Sequence, residues 1–77
     1  MSRTFNDEEL QTWEAFATGG RFGLAVRAKV VFQCVSDQAR PVRFVEVVGD
    51  EADAEALVHD SREDRLRQLL RESKILE

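Results

Sequence analysis

"KVVFQCVSDQARPVRFVEVV", residues 29–48, is the stretch whose reading decides the fold. Two runs rich in Val and Phe, 29–35 and 42–48, flank the connection SDQARP. β-Branched and aromatic side chains suit a pleated, half-buried surface, and runs this short suit strands. Pro41 stands at the entry to the second run, where a missing N–H does least harm to a strand ladder. The reading is an antiparallel hairpin.

Side chains alternate across a strand, so the pairing of the two runs decides which residues share a face. With Val35 opposite Val42, one face carries Val30, Phe32, Cys34, Val45 and Val47, with Arg43 at its loop end. The other carries Lys29, Val31, Gln33, Val35, Val42, Phe44, Glu46 and Val48. A slip of one residue sets Phe32 beside Phe44 only by bringing Glu46 onto the same face, so the first pairing is preferred. Both faces are apolar. Both need cover.

One cover follows directly in the chain. "GDEADAEALVHD", residues 49–60, opens with Gly49 for a bend and Asp50 as a helix cap. Glu51 and Asp53 then fall in the first turn, where the helix dipole favours acids. Ala54, Leu57 and Val58 form a narrow apolar stripe. "SREDRLRQLLRESKIL", residues 61–76, restarts with Ser61 and Asp64 as a second capping box. Leu66, Leu69, Leu70 and Leu76 recur at helical spacing, and Arg71 and Lys74 suit the helix C-terminus. Glu63 and Arg67 form a favourable pair four residues apart.

Residues 1–18 admit two readings. Asn6 with Glu9 resembles a capping box, Phe5 with Leu10 a hydrophobic staple, and Leu10, Trp13 and Ala17 recur at helical spacing. These local signals favour a helix. The competing reading is a hairpin of two short strands around a turn at residues 7–10, because Thr12, Trp13 and Phe16 suit a strand. "GGRFG", residues 19–23, lacks the Lys-Ser or Lys-Thr of a phosphate loop and is read as a turn before the strand.

The expected architecture is therefore α+β: one small domain over residues 1–77, built on the hairpin, with two short C-terminal helices packed on it. At 77 residues the core is thin. With one cysteine, Cys34, and one histidine, His59, no intrachain disulfide exists, and a zinc site of the usual ligands cannot be assembled. Association with another chain is the remaining reinforcement. No apolar run approaches the roughly 20 residues of a membrane span, and the N-terminus is acidic where a secretory signal is apolar. A cytoplasmic address is expected.

The net charge of −4 is segregated along the chain. Residues 1–18 hold one arginine against four acids, and 49–77 hold five bases against nine acids. Between them, 19–48 hold Arg21, Arg27, Lys29, Arg40 and Arg43 against Asp37 and Glu46. That basic middle, 21–43, motivates an alternative in which Arg27, Lys29, Arg40 and Arg43 contact nucleic-acid phosphates, with Phe22 and Phe44 as stacking groups. Acidic ends and a pI near 5.0 weigh against it.

Catalysis is not expected. The carboxylates at 50, 51, 53 and 55 lack the spacing of a calcium loop and sit where a helix start wants acids. A Cys34–His59 nucleophile–base pair is disfavoured because the pairing above buries Cys34 among Val and Phe. No cofactor is implied. What remains is a non-catalytic interaction or regulatory module whose partner is another protein or a second copy of itself. Its contact surface is the mixed hairpin face: Val31, Val35, Val42, Phe44 and Val48.

Overall fold

The alternating pattern at residues 29–46 does form a hairpin, and the sheet grows outward from it on both sides. A computed structural model describes residues 2–19 and 28–76. The GGRFG glycine-rich reading lies, apart from Gly19, outside the described residues, as do Arg21, Phe22 and Arg27. The elements run β1 (Ser2–Asn6), β2 (Thr12–Thr18), β3 (Lys29–Cys34), β4 (Arg43–Glu46), α1 (Glu51–Asp60), α2 (Glu63–Glu72) and β5 (Lys74–Ile75). Every strand pairs antiparallel with its neighbour in the order β1-β2-β3-β4-β5. The α+β expectation holds.

The N-terminal segment is a hairpin, and the local helix signals lose. Asn6 ends β1 instead of capping a helix. Leu10, assigned to the staple, sits in the turn with φ of 65° and is 81% exposed. Asp7 builds that turn. Its Oδ1 accepts from the N–H groups of Glu9 and Gln11 at 2.8 and 2.9 Å, its backbone pairs with Gln11 and Leu10, and its Oδ2 accepts from the Trp13 indole at 2.8 Å. The tertiary reason is period two. Phe5, Trp13 and Ala15 alternate onto one face, where all three are buried, and β2 extends the ladder beyond β3.

In the central hairpin the pairing is Lys29↔Glu46, Val30↔Val45, Val31↔Phe44 and Phe32↔Arg43. This differs by two residues from the expected alignment of Val35 with Val42. An even shift preserves the faces, so the partition of side chains read from the sequence survives. The shift has visible causes. Val35 N–H donates to Thr12 carbonyl, drawing the end of β3 toward β2. Asp37 closes a longer loop by accepting from Ala39 and Arg40 backbone N–H groups.

Both helices pack on the Phe32 face. The core joins Phe5, Trp13, Val30, Phe32 and Cys34 to Ala54, Val58, Leu66, Leu69 and Leu70. Phe5 meets Phe32 edge-to-face with ring centroids 6.0 Å apart. α1 begins as expected: Asp50 accepts from Asp53 N–H at 3.1 Å, and Asp53 returns the contact at 2.9 Å. The preceding Gly49 has φ of 130°, and a Cβ there would lie 2.1 Å from Asp53 Oδ2. The second expected capping box is absent, because Ser61 instead ends α1, and Arg62 precedes α2 without a side-chain cap. Arg3 of β1 donates to the Val58 and Ser61 carbonyls, satisfying the end of α1.

α2 also stops earlier than its leucine spacing suggests. Ser73 N–H bonds Leu70 carbonyl, and its side chain accepts from Arg43 Nε at 2.8 Å. The chain then turns into β5, so Lys74 is a strand residue and Leu76 is not part of the helical stripe. Leu76 N–H donates to Val42 carbonyl at 2.8 Å.

Candidate functional site

With both helices on one face of the sheet, the other face is the surface to examine. Cross-strand pairing arranges it in rows. The central row runs Ser2, Phe16, Val31, Phe44 and Lys74 across all five strands. On one side of it lie Thr18, Lys29 and Glu46, and on the other Thr4, Glu14 and Gln33. Val42 and Leu76 adjoin the second side, joined by their backbone bond. Among the described residues, neither helix covers this face.

Four of the five contact residues read from the sequence come together here. Val31 is 6% exposed yet stands apart from the core cluster, and Phe44 and Val42 are half-buried. Val35 is 46% exposed. Val48 is different: it lies past the end of β4 and is 90% exposed. Sequence reasoning missed Phe16, which borders Val31 directly. Once Trp13 is assigned inward, alternation sends Phe16 outward, so only the helical reading of residues 6–18 hid it. Lys29 places its ammonium 5.8 Å from the centre of the Phe44 ring, a cation–π distance.

Of the four bases of the nucleic-acid alternative, the three that are described do not form one surface. Lys29 is on the open face, whereas Arg43 is on the helix-covered face and bonds Ser73 through Nε and through Nη2, the latter at 2.6 Å to its carbonyl. Arg40 is in the hairpin loop, 3.4 Å from both Glu9 and Asp37. Arg27 lies outside the described residues. Nor are Cys34 and His59 joined: Cys34 is buried with its Sγ 3.6 Å from Ser36 Oγ, and His59 Nε2 lies 3.1 Å from Glu55.

Among the described residues, a cleft of about 590 Å³ lies at the β1–β2 turn over Asn6, Leu10 and Arg67, and two others reach core side chains. Of these two, the larger, about 550 Å³, runs beside β4 over Val45, Val47, Leu57 and Leu69, with Arg65 and Glu72 at its rim. The smaller, about 390 Å³, lies over Trp13 and Leu70 and brings together Arg40, Arg43, Arg67 and Arg71. Its guanidinium groups are already engaged: Arg71 by Glu8, Arg67 by Asp64 and Glu63 and by Asn6 carbonyl, and the other two as above. Burial works against ionisation of Asp7 in this cleft. The hydrogen bonds from Trp13, Gln11 and Glu9, with the charge of Arg40, outweigh it and hold the Asp7 pKa below its ordinary value. The turn is tied to α2 by the Arg71–Glu8 pair and by the Arg67 bond to the Asn6 carbonyl. Among the described residues no group of three His, Cys, Asp or Glu is placed to hold a metal ion, and no helix is long and apolar enough to cross a membrane.

Compared with known proteins, the chain matches no family model, no curated protein and no solved structure.

Proposed function

We propose that this chain is a non-catalytic interaction module that associates with a second copy of itself through the open face of its sheet, in a cytoplasmic setting. The observation that carries the reading is the Phe16–Val31–Phe44 row. Three large apolar side chains lie side by side across β2, β3 and β4 on the face that neither helix covers. Charged residues border that row, an apolar centre with a polar rim being the ordinary anatomy of a protein contact. The thin core adds a motive: Val31 is already nearly buried, but burying the exposed parts of the half-buried Phe16 and Phe44 adds a fraction of the roughly 1.5–3 kcal/mol that full burial of such a side chain is worth.

The test is sedimentation equilibrium of the parent chain and of Phe44→Glu over a wide concentration range. The parent should show a concentration-dependent dimer. Phe44→Glu should stay folded by circular dichroism and sediment as a monomer. A parent that remains monomeric at high concentration would overturn the reading.

A further inference from the structure

Building on that self-association, the charge pattern of the open face points to one packing orientation, and we infer that two copies stack about a two-fold axis running along the β3–β4 seam, parallel to the strands. The inference begins from four charges. Lys29 and Glu46 lie opposite one another in adjacent strands at one side of the apolar row. Lys74 stands at the β5 end of that row, and Glu14 lies on β2 on the far side of it. Among the described residues, two positive and two negative charges surround the apolar centre, so these four balance.

A two-fold axis lying in the interface plane and along the strands has a simple consequence. Each row of one copy faces the same row of its partner, with the strand order reversed, so that β3 lies over the partner β4 and β2 over the partner β5. Val31 then meets the partner Phe44, and Lys29 meets the partner Glu46. Because each chain already sets Lys29 opposite Glu46, the two copies form a square of alternating charge. Lys74 is brought over the partner Phe16, one side-chain row (about 7 Å) from the partner Glu14. Each of these four charges faces or adjoins its opposite.

The competing orientation, with the axis across the strands through the apolar row, behaves differently. It stacks Lys74 on the partner Lys74 and sets Glu46 over Val42, while Lys29 faces Gln33 and adjoins the partner Glu14. Like charges face at one end, and a carboxylate is buried against an apolar residue. Both axes keep the strand lines aligned, as stacked sheets do within about 30° at about 10 Å separation, so the charges alone separate the two orientations. Long Lys and Glu side chains reach across that gap. The face measures roughly 24 by 20 Å on strand spacings alone, below the usual area per partner of a stable interface, so the dimer should be weak. Electrostatic register then decides its orientation. The product is a four-layer particle, with two sheets inside and the helices outside.

Charge exchange tests this. Lys29→Glu alone and Glu46→Lys alone should each weaken association by at least about tenfold, a loss of about 1.4 kcal/mol. Mixed in equal amounts, the two variants should associate again, because each contact of the mixed dimer pairs Glu with Lys. Since each single variant also sets like charges opposite within its own chain, the double exchange Lys29→Glu with Glu46→Lys provides an independent arm in which that pair is kept. It should dimerise like the parent yet refuse to mix with it, because every cross-contact repels; energy transfer between labelled chains reads this directly. Random mixing of parent and double exchange, or recovery by Lys29→Glu with Glu14→Lys instead, overturns the orientation while leaving self-association standing. A parent that never dimerises removes both.

Discussion

Phe32→Ala probes the fold where it is most concentrated. Phe32 is fully buried at the centre of β3, edge-to-face with Phe5 and within the cluster that includes Leu66 and Leu69. Truncating a buried Phe removes its transfer free energy and leaves a cavity, together about 3–5 kcal/mol. A domain of this size has about 4–12 kcal/mol to lose. At about 4–8 °C per kcal/mol, the melting temperature should fall by roughly 12–40 °C, and the variant should be unfolded at ambient temperature only if the parent is at the low end. Thermal melts followed by circular dichroism, backed by urea titration, measure this. Phe5→Ala should be costly too, and the double variant should lose about 0.5–1.5 kcal/mol less than the sum, the worth of the aromatic pair. A Phe32→Ala protein that melts within a few degrees of the parent would refute the helix-covered core and the assignment of faces.

Further expectations concern single contacts. Gly49→Ala should destabilise by about 1–3 kcal/mol, because φ of 130° and the 2.1 Å approach to Asp53 disrupt the α1 cap; equilibrium unfolding checks it. Asp7 has a folded pKa held below its unfolded value of about 3.8, so its contribution is present above that pH and disappears as pH falls through the folded value. Asp7→Ala should therefore lower stability at neutral pH, by about 1–3 kcal/mol for the stranded Trp13 donor, and narrow its difference from the parent in strong acid. Cys34, buried on β3, should react slowly with a thiol reagent in the native state and rapidly in denaturant.

Much of the fold was legible because its signals agree at more than one level. The hairpin at 29–46 combines β-branched residues, period-two patterning and a loop with Asp37 and Pro41, and the Asp50 cap follows a glycine bend. Where the levels disagree, tertiary structure decided. Asn6 and Glu9 have the right spacing for a helix start, yet the Asp7 carboxylate between them builds a turn that brings Phe5 beside Trp13. The hairpin alignment was out of reach for a different reason: a shift by two residues leaves every side chain on its face, so such alignments look alike in sequence, and only contacts to β2 and to the end of α2 separate them. β5, two residues long, carries no pattern of its own and exists because Ser73 ends α2 beside the edge of β4. The candidate surface followed the same division. Val31 and Phe44 came from the hairpin alone, whereas Phe16 needed the N-terminal strands.

Backbone and methyl chemical shifts recorded over about a hundredfold dilution test self-association through the open face most directly, because a dimer in exchange makes its own interface concentration-dependent. The account predicts changes confined to Phe16, Lys29, Val31, Phe44, Lys74 and their neighbours on β2–β5, with Val58 and Leu66 under the helices unmoved. Shifts that are independent of concentration, or changes concentrated on α1 and α2 instead, would contradict it.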